Sequence, residues 1–112
     1  MLGDVSDIAF KSAAELAAMI RDRSLTAIDA LTYLADRVER FNPGLNAVIA
    51  TDLGAACRQA ERADRALDRG EIWGPLHGLP ITIKDSFEVD GMPTTSGSPR
   101  LKDYVPAQNA VA

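Results

Sequence analysis

Up to Gly70 the apolar positions recur at three- and four-residue intervals, the spacing that lays one face of a helix against a core. Leu16, Met19 and Ile20 follow Ser12-Ala13-Ala14-Glu15, whose serine and glutamate stand three apart as in a capping box. A first helix over about Ala13–Arg23 is predicted. Thr26, with Asp29 three residues on, opens a second stripe through Ile28, Leu31, Leu34 or Ala35, Val38 and Phe41, which Asn42-Pro43-Gly44 is expected to stop. Leu53, Ala56, Ala60, Ala63 and Leu67 make a narrow, alanine-rich third stripe from Asp52 to Arg69, with Gly70 where a left-handed cap belongs. Its other face, Arg58, Glu61, Arg62, Arg65 and Asp68, reads as solvated. Between the second and third helices, the apolar run Leu45–Ala50 suits a brief strand.

After Trp73 helical periodicity ends and Gly, Pro, Ser and Thr replace Ala and Arg. Ile81 and Ile83 alternate with Thr82 and Lys84, the period of a strand with two different sides. Asp85 falls on the isoleucine side or in the following turn. The expected architecture is α/β, a helical region over about 10–70 followed by a strand and loop segment over about 74–100. Two or three short strands under three helices form a thin core, so the sheet reads as begun and not completed.

The remaining bulk properties narrow the function classes. With 112 residues, 46% apolar and 25% charged, the balance is that of a folded soluble protein. A net charge of −4 with no concentrated basic patch disfavours nucleic acid and anionic lipid as partners. No window approaches the ~18 apolar residues of a membrane span, and no basic-then-apolar leader opens the chain, so a cytoplasmic address is expected. Cys57 has no second cysteine to pair with and reads as a small apolar residue on a helix. Lone His77, in the Pro/Gly loop, lacks a neighbour for a metal pair and is expected to position backbone through its ring nitrogens. Trp73 reads as a core anchor, with a substrate wall as the other role open to it.

Lys84 carries the chemical question. A lysine works as a general base only when neutral, and its reference pKa of about 10.4 leaves it charged near pH 7. Burial away from carboxylates must then supply roughly 4.6 kcal/mol of preference for the neutral form. The uncharged Thr82 on the same side, with Asp85 directed away, is compatible with that. Spacing alone favours a surface or ion-paired lysine over a catalytic one.

The local sequence adds a resemblance. Gly74, Pro75, Leu76, His77, Gly78, Leu79, Pro80, Ile81, Thr82, Ile83, Lys84 and Asp85 are followed by Gly91-Met92-Pro93-Thr94-Thr95-Ser96-Gly97-Ser98. This run resembles the amidase signature family, whose members carry a G-P-L-H-G-[IL]-P-[IV]-x-[IVL]-K-D segment ahead of a G-x-x-T-T-x-G-S loop and an alanine-rich helical region before both. Ser86, Phe87 and Ser96 depart mildly from the residues common there. The resemblance implies a mixed-sheet fold and hydrolysis of an amide C–N bond by a Ser-cisSer-Lys triad. Lys84 would be its base, acting through a bridging serine on a second serine that forms an acyl-enzyme, with no metal or organic cofactor.

The family's Gly-Gly-Ser-Ser-Gly-Gly-like segment, which holds both serines and the oxyanion amides, does not occur between Met1 and Ala112. The chain therefore reads as the N-terminal portion of a single amidase domain. It is expected to be inactive alone, because losing one oxyanion donor already costs ~10²–10³ in rate. Ser96 and Ser98 flank Gly97 before Pro99 and read as turn residues, not substitute nucleophiles. Two other functions stay open: a catalytic-subunit fragment of a tRNA-dependent amidotransferase, releasing ammonia from glutamine, and a non-enzymatic helical module binding through Ile28, Leu31, Leu34 and Val38. A small amide is the expected substrate. An unpaired sheet edge leads us to expect either self-association into a homo-oligomer or marginal stability.

Overall fold

Ser12 begins the first helix as its spacing predicts. In the structure, a computed structural model that describes residues 5–111, its hydroxyl accepts the Glu15 amide at 3.2 Å while the Glu15 carboxylate accepts the Ser12 amide at 2.7 Å. That reciprocal pair opens α1, Ala13–Arg21, which follows a 3₁₀ turn at Val5–Phe10. The Ser12 amide and hydroxyl hold the Glu15 carboxyl below its ordinary range. Thr26 caps α2, Ala27–Leu45, and α3 spans Leu53–Asp68. A second 3₁₀ turn lies at Pro99–Leu101.

Two compact units result, one built from residues through Ala47 with Leu53–Pro80, the other from Val48–Asp52 with residues from Ile81 on. In the first, Ile8, Leu16, Ile20, Leu25, Ala27, Ala30, Ala60 and Ala63 form the core, with Met19, Leu31 and Leu79 against its edge. Alanines at the α2 and α3 contact let the two backbones approach. The approach is used electrostatically as well: the Asp64 carboxylate of α3 accepts the Ala27 amide at 2.7 Å and the Ile28 amide at 3.1 Å, and the Thr26 hydroxyl takes the Asp29 amide at 3.1 Å. Three amides in the first turn of α2, which have no partner within a helix, are thereby satisfied, one carboxylate coming from a different helix.

Several expectations need correction. α2 does not stop at Asn42-Pro43-Gly44 but continues to Leu45, where Asn46 turns left-handed at φ 50° and donates its amide to the Asn42 carbonyl. Pro43 falls in the last turn, where its missing N–H removes a single bond and few residues remain to be displaced. On α3 the expected stripe holds at Ala60 and Ala63, which are buried, and at Leu67, which packs against the core; Leu53 at its start is exposed instead, and Ala66 is buried in addition. The outer face is solvated as read, and Glu61 and Arg65 stand 3.9 Å apart on it. Gly70 takes the left-handed cap at φ 75°.

The strands differ more. Neither Leu45–Ala50 nor Ile81–Lys84 is a strand, and among the described residues there is none. A strand exists through the ladder it shares with a neighbour; Val48–Asp52 falls in the same unit as Ile81–Ile83, but neither segment is a strand. Ile81, Thr82, Ile83 and Lys84 are all exposed, so the alternation in the sequence is not expressed as a buried and a solvated side. The nearest approach to pairing lies further on. The Ala110 amide donates to the Glu88 carbonyl, Gly91 to Pro106 and Thr94 to Tyr104, all at 2.9–3.0 Å, setting residues 88–94 antiparallel to 104–110 without a completed ladder.

Candidate functional site

The segment Trp73–Pro80 is a chain of tight turns tied to the helices of its own unit. His77 is its buried centre, 7% exposed. The Trp73 amide donates to Nδ1 at 2.9 Å, which makes that nitrogen the acceptor, so Nε2 carries the proton and donates to the Ala63 carbonyl of α3 at 2.9 Å. Both ring nitrogens are therefore committed to backbone, the role that the sequence assigns. The next residue, Gly78, sits at φ +73°, and a Cβ there would come within 3.0 Å of Ile20 Cγ2 and 3.1 Å of Ala27 Cβ. A left-handed backbone pressed on two helices explains the glycine. Trp73 is not the core anchor expected: 46% of it is exposed, its ring 4.9 Å from the His77 ring with the Arg62 guanidinium 5.8 Å above it.

In the other unit, Lys84 closes a turn, its carbonyl accepting the Phe87 amide at 2.9 Å. Its side chain is exposed, and among the described residues no carboxylate pairs with it. The desolvation that a neutral lysine requires is not supplied by these residues. Asp85 does not behave as a bystander. Its Oδ1 accepts the Thr95 amide at 2.9 Å, its Oδ2 accepts the Thr95 hydroxyl, and its carbonyl accepts the Ser96 amide at 3.0 Å. The Thr95 hydroxyl and amide hold the Asp85 carboxyl below the ordinary aspartate range.

Thr95 in turn accepts the Gly97 amide on its hydroxyl at 3.3 Å and the Ser98 amide on its carbonyl at 2.8 Å. Ser96 and Gly97 both have positive φ, 49° and 70°, the signature of a type I′ turn. These serines are turn residues, as their setting beside Gly97 predicts. Sequence reading missed Asp64 and the Asp85–Thr95 pair. Asp64 acts 37 residues from its partner, with no local pattern to announce it. The second pair had a signal, since an acid directly after Lys84 and a threonine in the following turn-rich loop are the types that make such caps.

Among the described residues no cluster of His, Cys, Asp and Glu is arranged to hold a metal ion, and Cys57 is half-buried and free. No described helix is long and apolar enough to cross a membrane.

The family model described as Amidase matches residues 29–112, the whole of both motif segments included. The chain belongs to the amidase signature family. Curated relatives in this family agree along nearly its full length. It is 39% identical to the acylamidase of Rhodococcus erythropolis over 100 residues, covering 89% of this chain and 21% of that protein. It is 38% identical to a subunit of the glutamyl-tRNA(Gln) amidotransferase of Acidothermus cellulolyticus over 106 residues, 95% of this chain and 21% of the relative. Against the indoleacetamide hydrolase of Bradyrhizobium diazoefficiens it is 37% identical over 99 residues, 88% of this chain and 19% of the relative. This amidase signature chain thus spans about a fifth of the length of these relatives.

Proposed function

We propose that this chain forms the N-terminal part of a single amidase domain whose complete form hydrolyses a carboxylic amide C–N bond, with Lys84 as general base. The observation that carries the reading is the position of Lys84 inside the Gly74–Asp85 segment of a chain that matches the family from residue 29 onward. The neutral Lys84 amine takes a proton, relayed by a bridging serine, from a second serine as that hydroxyl attacks the amide carbonyl. The proton then passes to the departing amine, and water cleaves the resulting ester. Both serines and the oxyanion amides belong to sequence outside Met1–Ala112, so these residues alone carry no turnover. In the complete domain Ile81–Ile83 joins a mixed sheet, and other parts of the fold cover Lys84. A cytoplasmic address, a small amide substrate, no nucleic-acid partner and no cofactor complete the proposal.

Within that chemistry two substrate readings have support. The acylamidase and indoleacetamide hydrolase relatives favour a small aryl or arylalkyl amide. The likeness to the glutamyl-tRNA(Gln) amidotransferase, which covers 95% of the chain, favours glutamine with a partner protein receiving ammonia. The test is hydrolysis of p-nitroacetanilide, indole-3-acetamide and glutamine by the full encoded protein, with Lys84→Ala beside it. Turnover with an acyl-enzyme burst is expected on one of them, and the substitution should lower kcat by ~10²–10⁴. Unchanged kcat in Lys84→Ala, or no turnover of any of the three, would overturn the proposal.

A further inference from the structure

The residue after Lys84 makes three bonds to two consecutive residues of the Thr95–Ser98 turn: carboxylate to Thr95 amide, carboxylate to Thr95 hydroxyl, and carbonyl to Ser96 amide. The Thr95 hydroxyl passes the connection on to the Gly97 amide. A left-handed serine at position 96 is held within this network, against the preference of a side-chain-bearing residue. On the same side, Lys84 is bound through its carbonyl to the Phe87 amide. The backbone of Lys84 is thus fixed from its C-terminal side while its side chain makes no ion pair among the described residues.

We propose that Asp85 is a positioning residue, latching the backbone at Lys84 to the Thr95–Ser98 turn so that the lysine amine is presented at a constant place. The inference rests on Lys84 being the base, as proposed above. It assigns the Asp85–Thr95 pair a role in the rate that neither residue has through substrate contact. A flexible lysine stem attached to a mobile backbone would sample its proton acceptor position only part of the time, whereas the latch removes the backbone share of that freedom. Misplacing a catalytic group by about 1 Å can cost ~10²-fold in rate.

The test uses the full encoded protein and whichever of the three amides above it hydrolyses, with the folded fraction of each variant measured by circular dichroism and size-exclusion chromatography so that misfolded protein does not enter kcat. Asp85→Asn and Thr95→Val should each lower kcat per folded enzyme by about 10- to 100-fold while KM stays within about twofold, because binding is not what the latch controls. Thr95→Ser, which keeps the hydroxyl, should retain wild-type kcat. The double variant should be no slower than the slower single one, since both substitutions break one connection. If Asp85→Asn yields no soluble protein, the Thr95→Val and Thr95→Ser pair decides alone. Wild-type kcat in Thr95→Val, or a loss in Thr95→Ser equal to that in Thr95→Val, overturns the latch and leaves Lys84 untouched. Full activity in Lys84→Ala overturns the base, and the latch with it.

Discussion

Gly78 and Gly70 have nearly the same backbone, φ +73° and +75°, yet different surroundings, and that pair isolates what close packing of the motif segment is worth. An alanine at either position is forced into the left-handed region at about 1–2 kcal/mol. At Gly70 nothing lies within 4 Å of the new methyl, so the conformational cost is the whole cost. At Gly78 the methyl meets Ile20 Cγ2 at 3.0 Å and Ala27 Cβ at 3.1 Å. Both are well inside the optimal carbon separation of about 3.5–4.0 Å, where contact turns repulsive. Ile20 and Ala27 are both fully buried, so neither has solvent to move into. Overpacking of this kind adds about 1–3 kcal/mol, for a total of about 2–5 kcal/mol at Gly78. For the 112-residue chain melted by itself each kcal/mol lowers Tm by roughly 4–8 °C, so Gly78→Ala should melt at least about 4 °C below Gly70→Ala. The assay is a circular dichroism melt of the two variants and of Gly78→Ala combined with Ala27→Gly. The combination should couple favourably by ~0.5–3 kcal/mol because it removes one of the two clashing atoms. Equal melting temperatures for the two alanine variants would refute the packing argument, as would zero coupling.

Three further outcomes follow from the same geometry. Asp64→Ala removes the acceptor for two first-turn amides of α2 and should cost about 2 kcal/mol in urea unfolding, whereas Asp64→Asn, which keeps one acceptor, should lose less. His77→Phe keeps the ring volume but leaves the Trp73 amide and the Ala63 carbonyl unpaired, at about 1–3 kcal/mol for each group left buried, read by the same unfolding curve. The Asp85 carboxyl is held low by Thr95, so the latch is complete above the ordinary aspartate value of about 3.9 and is lost only as pH falls through the lower folded value. The NMR shift of the Thr95 amide should therefore stay constant from neutrality down past that value and change below it, a transition absent in Asp85→Asn.

What could be read from the sequence and what could not separates by the range of the interaction responsible. Ser12 with Glu15, Thr26 with Asp29, and Gly70 are helix signals whose partners lie within a few residues, and each is found doing what its spacing predicts. His77 was legible for a related reason: a lone histidine between glycines and prolines has few uses other than binding the backbone around it. Pro43 misled because position within the helix, and not identity, sets the cost of a proline. Asp64 was illegible, since its partners at Ala27 and Ile28 become neighbours only when α2 and α3 pack.

The strand at Ile81–Lys84 fails for the complementary reason, and the failure bears on the site. Alternation of Ile81, Thr82, Ile83 and Lys84 records which sides a sheet would bury, but a ladder needs a neighbouring backbone, and alternation cannot supply one. A helix closes its own hydrogen bonds and so forms in this chain wherever its pattern is present. Ile81 and Ile83, exposed at 65% and 52%, are apolar groups whose burial is written in the sequence and not met by the residues described. Lys84 is in the same position: the base role proposed above calls for its burial, and the described residues leave it exposed. Pairing alone would not answer both, since a neighbouring strand satisfies the backbone edges while the side chains stand above and below the sheet; burying the isoleucines and the lysine takes a layer packed on each face. The latch at Asp85 stands at the end of that segment already formed. The turn after Lys84 is complete because its bonds run between residues ten or eleven apart at most, Asp85 with Thr95 and Ser96, and need no sheet.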